Sequence, residues 1–213
     1  MTKNLMPTCN HEIKSVQTPL TRERAGTLKL VLMINGLMFC ILFTAGLWAD
    51  SSALLADSAD NLGDAFVYAI SLFVAYRGLR WRAGAAFIKG LVQFAFGVGI
   101  IIGIAVKLLG HPEPVGLVIM AVAAVALIAN LICLLLLQRH RGEDVNMRSV
   151  WLCSRNDVIG NAAVVVSGTA VWLTSSFWPD LIVAALLATV FLHTSYDVLR
   201  DALRAWRAGA QLS

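Results

Sequence analysis

Apolar residues fall into six long runs, at about Leu30 to Trp48, Ser52 to Tyr76, Ala83 to Val106, Val115 to Leu137, Val150 to Leu173 and Leu181 to Tyr196. Most approach the roughly 20 residues that an apolar helix needs to cross the hydrocarbon of a bilayer. The last run is shorter and is completed by flanking residues, with Pro179-Asp180 as its start signal. The pattern predicts an all-α membrane protein with six transmembrane helices. Residues 1–27 then form a polar N-terminal arm, 28–198 the transmembrane domain and 199–213 a short tail. In that tail Leu199, Leu203 and Trp206 share one face, as in a helix extension lying along a membrane surface.

Composition agrees with the pattern. Of the 213 residues 58% are hydrophobic and only 14% charged, with a mean hydropathy of +0.74, so a water-soluble fold would leave a large apolar excess on its surface. The net charge of +4 comes from basic residues in short blocks between apolar runs. They form no stripe of nucleic-acid size, and no nucleic-acid partner is expected. Cys9, Cys40, Cys133 and Cys153 share no framework spacing and three lie in apolar runs, so disulfides are not expected. The polar opening lacks the short apolar core of a cleavable signal peptide.

Charge sets the expected orientation. Lys and Arg cluster in the arm, in the loop of Arg77, Arg80 and Arg82, in the loop of Arg139, Arg141 and Arg148, and in the tail of Arg200, Arg204 and Arg207. The alternate loops, near Asp50, Glu113 and Ser175, hold almost none apart from Lys107 at a helix end. Both termini are therefore expected in the cytoplasm.

Isolated polar residues in the runs have structural readings first. Asn35 needs a partner in the bundle, and Asn130 and Cys133 read as packing or hydrogen-bonding residues. Lys89 lies near the cytoplasmic end of the third helix, close enough to snorkel. Gly99 and Gly103 have the spacing that allows two helices to approach, within the chain or across a dimer. His193 reads as hydrogen-bonded within the bundle, and Cys9 with His11 as incidental residues of the arm, since no second pair completes a metal site there.

Carboxylates in the second run resist that treatment. Asp57, Asp60 and Asp64 lie inside a membrane-length segment, where each ionised group is costly. Asp60 and Asp64 are four apart and share one helix face, as do Cys153 and Asp157 in the fifth run. The two pairs are separated by the same interval, 60 to 153 and 64 to 157, as expected of two three-helix halves related by an inverted repeat. The antiparallel second and fifth helices would then bring Asp60, Asp64, Cys153 and Asp157 together near the midplane. Three carboxylates and a thiolate suit tetrahedral zinc or a softer divalent ion such as cadmium or lead. Magnesium or calcium would want six or more oxygens. Unoccupied, such a cluster takes up protons that an arriving metal must displace, which is the requirement for antiport. The competing reading has Asp60 and Asp64 pairing with Arg155 or Lys89 to hold helices together. Asp57, one turn outward, reads as a guide for ions or as a cap or pairing group at the helix end.

These residues bring out a resemblance. Ser52-Ala53-Leu54-Leu55-Ala56-Asp57-Ser58-Ala59-Asp60-Asn61-Leu62-Gly63-Asp64 is similar to the second-helix motif of the cation diffusion facilitators, and Asp157-Val158-Ile159-Gly160-Asn161 to their fifth-helix motif. The resemblance implies a six-helix, usually homodimeric, divalent metal/proton antiporter of a prokaryotic inner or plasma membrane. It exports zinc, cadmium or a similar metal from the cytosol and needs no bound cofactor. It also implies a transport site at Asp60, Asp64, Cys153 and Asp157. The chain departs from the family at Cys153, where His or Asp is usual, and in lacking the family's cytoplasmic C-terminal domain. Two other functions fit parts of the pattern: an intramembrane aspartyl protease using Asp64 and Asp157, and a membrane metal sensor or scaffold that binds without transporting.

Overall fold

The computed structural model describes residues 22–73, 79–110, 113–139 and 145–210, all helix apart from short turns. Six helices follow one another: α1 (Arg22–Trp48), α2 (Ser52–Phe73), α3 (Leu79–Gly110), α4 (Gly116–Gln138), α5 (Val145–Thr174) and α6 (Trp178–Ala210). Each coincides with one predicted apolar run; the fourth run begins one residue before α4, and the end of the second, 74–76, lies outside the described residues. The ends differ, because polar turns can extend a helix beyond the hydrocarbon: α1 begins within the arm, and α6 continues unbroken through most of the tail. At 33 residues, α6 rises about 50 Å, well beyond the ~30 Å of a hydrocarbon core.

The distribution of polarity suits a lipid solvent. Large apolar side chains such as Met33, Leu109, Val166 and Leu173 point outward, whereas Asn35, Asp57, Asn61, Asp64, Gln93 and Asp157 are buried. In hydrocarbon this arrangement avoids unpaired polar groups at the lipid face. Small residues fill the main core, with Ala53, Ala56, Ala59, Ala123, Ala126, Ala184 and Ala188 around Leu42, Leu54 and Val164. They allow the helices to approach closely.

Helix pairing is uneven. The most extensive contacts are α1 with α2, α4 with α5 and α3 with α6. Along the α4–α5 seam, a Cβ on Gly168 would lie 2.5 Å from the backbone nitrogen of Met120, so the two backbones nearly touch. By contrast, a Cβ on Gly99 or Gly103 would meet nothing within 4 Å. The α3 glycine stripe is therefore not a helix contact within the chain; it lines an apolar groove beside Ser52, Leu55 and Phe96.

Among the described residues, five helices are long and apolar enough to cross a membrane: α1, α3, α4, α5 and α6. The exception, α2, has 22 residues and contains Asp57, Asp60 and Asp64. It touches α1, α3, α5 and α6, so neighbouring helices shield its acidic side.

The start of α2 is fixed from another part of the chain. Asp50 takes a left-handed conformation (φ 49°), which Asp tolerates better than most residues. It ends α1, and its side chain meets Lys107 Nζ of α3 at 2.8 Å. Ser51 Oγ accepts from Leu54 N at 3.1 Å and donates to Asp180 Oδ1 of α6 at 2.5 Å. Asp180 also accepts from Ser52 N at 2.7 Å and Ala53 N at 3.3 Å. A carboxylate from α6 thus satisfies the otherwise unpaired first N–H groups of α2.

Candidate metal centre

With its cap supplied by Ser51 and Asp180, α2 has no need of Asp57 at its end. The expectation of a capping or pairing role at the helix end is corrected: Asp57 is 3% exposed, lines an internal cavity, and its Oδ2 has no hydrogen-bond partner. The cavity, of about 120 Å³, is also lined by Asp60, Gly63 and Asp64 of α2, Gln93 of α3, and Cys153, Asn156, Asp157 and Gly160 of α5. Leu187, Val190, Phe191 and Thr194 of α6 close it. All four residues singled out from the helical spacing therefore face one small space.

Asp157 stands where the two helices meet, facing the same cavity as Asp60 and Asp64. Tyr68, fully buried one turn along α2, donates its hydroxyl to Asp64 Oδ2 at 3.0 Å. Asn61 and Asn161 donate their amides back to the carbonyls of Asp57 and Asp157, at 3.0 and 2.9 Å. Among the described residues, no three His, Cys, Asp or Glu side chains stand in a ready-made metal-binding arrangement.

Cys40 and Cys133 are free, and Cys153 is 4% exposed on the cavity wall. As a thiolate ligand, Cys153 must be reduced.

Other expectations are sorted by the same geometry. Arg155 lies exposed with its guanidinium 5.8 Å from the ring centroid of Trp151. The Lys89 side chain, Cys9 and His11 lie outside the described residues. His193 is not held within the bundle: its side chain is 76% exposed and stands 3.8 Å from Asp197 on the same helix. Asn35 does find partners, donating to Val31 O at 3.0 Å and approaching Cys133 Sγ of α4 at 3.9 Å.

Sequence reasoning did not single out Tyr68 or Gln93, and it read Asp180 only as part of the start signal of the sixth helix. The i+4 spacing from Asp64 was a usable signal for Tyr68. Gln93 and Asp180 act across helices, and helical periodicity does not report such pairings.

Residues 28–205 match the sequence profile of the cation efflux transmembrane domain. The chain is 23% identical over 195 residues to the metal cation efflux system protein CzcD of Cupriavidus metallidurans, covering 86% of this chain and 62% of that protein. It is 22% identical over 213 residues to the zinc transporter ZitB of Yersinia pestis, covering 92% of this chain and 67% of the relative. To ZitB of Escherichia coli it is 25% identical over 184 residues, covering 79% and 58%. The chain thus spans about three-fifths of the length of these curated relatives.

Proposed function

The chain belongs to the cation efflux family, and on that premise we propose that it is a secondary transporter exporting divalent heavy-metal cations from the cytosol in exchange for protons. It is an integral, multi-pass protein of a prokaryotic plasma membrane. The observation that carries the reading is the shared cavity: Asp60 and Asp64 from α2 and Cys153 and Asp157 from α5 line one space.

In this reading the four side chains hold the metal as three oxygens and one sulfur, a set suited to zinc, cadmium or lead. Protons taken up by the carboxyls of the empty site leave when the metal binds, and the metal leaves when protons return. α2 and α5 belong to different three-helix halves, and rocking one half against the other opens the cavity first to the cytosol and then outward. The names of CzcD and ZitB, metal cation efflux and zinc transport, support the substrate class. The relevant unit is a homodimer, for which the open Gly99–Gly103 stripe on α3 is the candidate seam.

The test is transport in sealed vesicles holding the purified, reduced chain. An imposed pH gradient should drive zinc or cadmium against its concentration gradient, with protons moving the opposite way. Metal flux that ignores the pH gradient rules out antiport.

A further inference from the structure

Gln93 belongs to α3 and to neither of the paired motifs, yet it shares their cavity. Its side chain is 8% exposed, and its amide lies over Gly63, between Asp60 and Asp64 on α2. A Cβ on Gly63 would stand 3.6 Å from Gln93 Nε2 and 3.7 Å from Cδ. The Gln93 amide is thus packed directly against the α2 backbone at Gly63. The buried Oε1 of Gln93 has no hydrogen-bond partner, whereas buried amide oxygens are normally satisfied. An amide oxygen is also a good neutral donor to a divalent cation.

From this geometry we propose that Gln93 is a further, uncharged oxygen ligand of the transported metal, reaching the ion from α3 beside Asp60, Asp64, Cys153 and Asp157. The proposal rests on the reading of that cavity as the metal site. Three carboxylates and a thiolate bring more negative charge than a divalent ion neutralises. A carbonyl oxygen adds coordination without adding charge, and it ties a third helix to the bound ion. Zinc bound by Gln93 as well would be five-coordinate, a number that zinc reaches in some sites.

The experiment measures zinc binding to the reduced full chain in detergent, by competition with a chelating dye. Gln93→Met keeps the side-chain length but replaces the amide with a weakly donating thioether, and it should weaken binding about tenfold, equivalent to about 1.4 kcal/mol. Gln93→Glu keeps an oxygen in place and should bind zinc within about threefold of the unaltered chain, or more tightly. Asp64→Ala should abolish binding. If Gln93→Met binds as the unaltered chain does while Asp64→Ala does not bind, Gln93 is no ligand and the site reading stands. Unchanged binding by Asp64→Ala overturns the site reading and this proposal with it. Zinc-edge X-ray absorption of the unaltered chain covers the case of a variant that fails to fold. It should find one sulfur and four oxygen ligands, and three oxygens would overturn the proposal.

Discussion

Asp64 accepts a hydrogen bond from Tyr68 on its own helix and shares the cavity with Asp157. Tyr68→Phe removes that hydrogen bond without changing the packed ring. Losing a hydrogen bond to a buried carboxyl should cost about 1–3 kcal/mol of stability or metal affinity. Metal binding should therefore weaken measurably in Tyr68→Phe, without the abolition of transport expected for Asp64→Ala or Asp157→Ala. Vesicle flux assays on the three variants give the comparison. Cys153 governs selectivity in the same assay: Cys153→His replaces a soft sulfur with imidazole, and the preference should move from cadmium or lead towards zinc. Unchanged selectivity would remove the thiol from the ligand set. Such roles were partly legible in the sequence because the i, i+4 spacings of Asp60 with Asp64 and of Cys153 with Asp157 fix which side chains share a helix face. The spacing says nothing of Gln93, whose part depends on the contact of α3 with α2.

At the scale of elements, the helices themselves were legible, since six apolar runs bounded by polar turns leave little freedom. How they are fastened was not. The N-terminus of α2 is capped by Asp180 from α6, 128 positions away from Ser52, and a local reading placed the nearby Asp57 at the helix end instead. Asp180→Ala strips the acceptor from Ser51, Ser52 and Ala53 together and should destabilise the fold by about 1–3 kcal/mol, read as a lower unfolding temperature in detergent. Asp180→Asn, which keeps one acceptor oxygen, should lose less. The glycines divide just as sharply. Gly168→Ala would bring a Cβ to 2.5 Å from a backbone nitrogen that cannot rotate away, so α4 and α5 must move apart, at an expected cost of about 1–3 kcal/mol. Gly99→Ala meets nothing within the chain. A loss of dimer in that variant, with the monomer fold intact, would assign the α3 stripe to a second copy.

For the whole molecule we propose two related halves, a symmetry that most but not all of the helix contacts obey. Exchanging α1 with α4, α2 with α5 and α3 with α6 converts the α1–α2 pair into α4–α5 and leaves α3–α6 in place, and these are the three most extensive contacts. It also turns α2–α3 into α5–α6, a contact that the fold contains. The exchange fails at α2–α6, which has no matching α3–α5 contact of comparable extent. That is where Asp180 caps α2 and where α6 closes the cavity. Orientation follows from charge. The ends of α1 and α3 meet through Asp50 and Lys107 at 2.8 Å, so the cation on the otherwise base-poor side is neutralised by a neighbour. The blocks containing Arg80, Arg139 and Arg200 fall towards the opposite ends of α3, α4 and α6. By the positive-inside rule we propose that both termini lie in the cytosol and the turn at Glu113 outside. Tags before Met1 and after Ser213 should both resist protease in right-side-out membranes, while a cleavage site inserted at Glu113 should be cut. Cleavage at only one terminal tag would mean an odd number of crossings and would remove α2, the most acidic of the six helices, or one of its neighbours from the membrane.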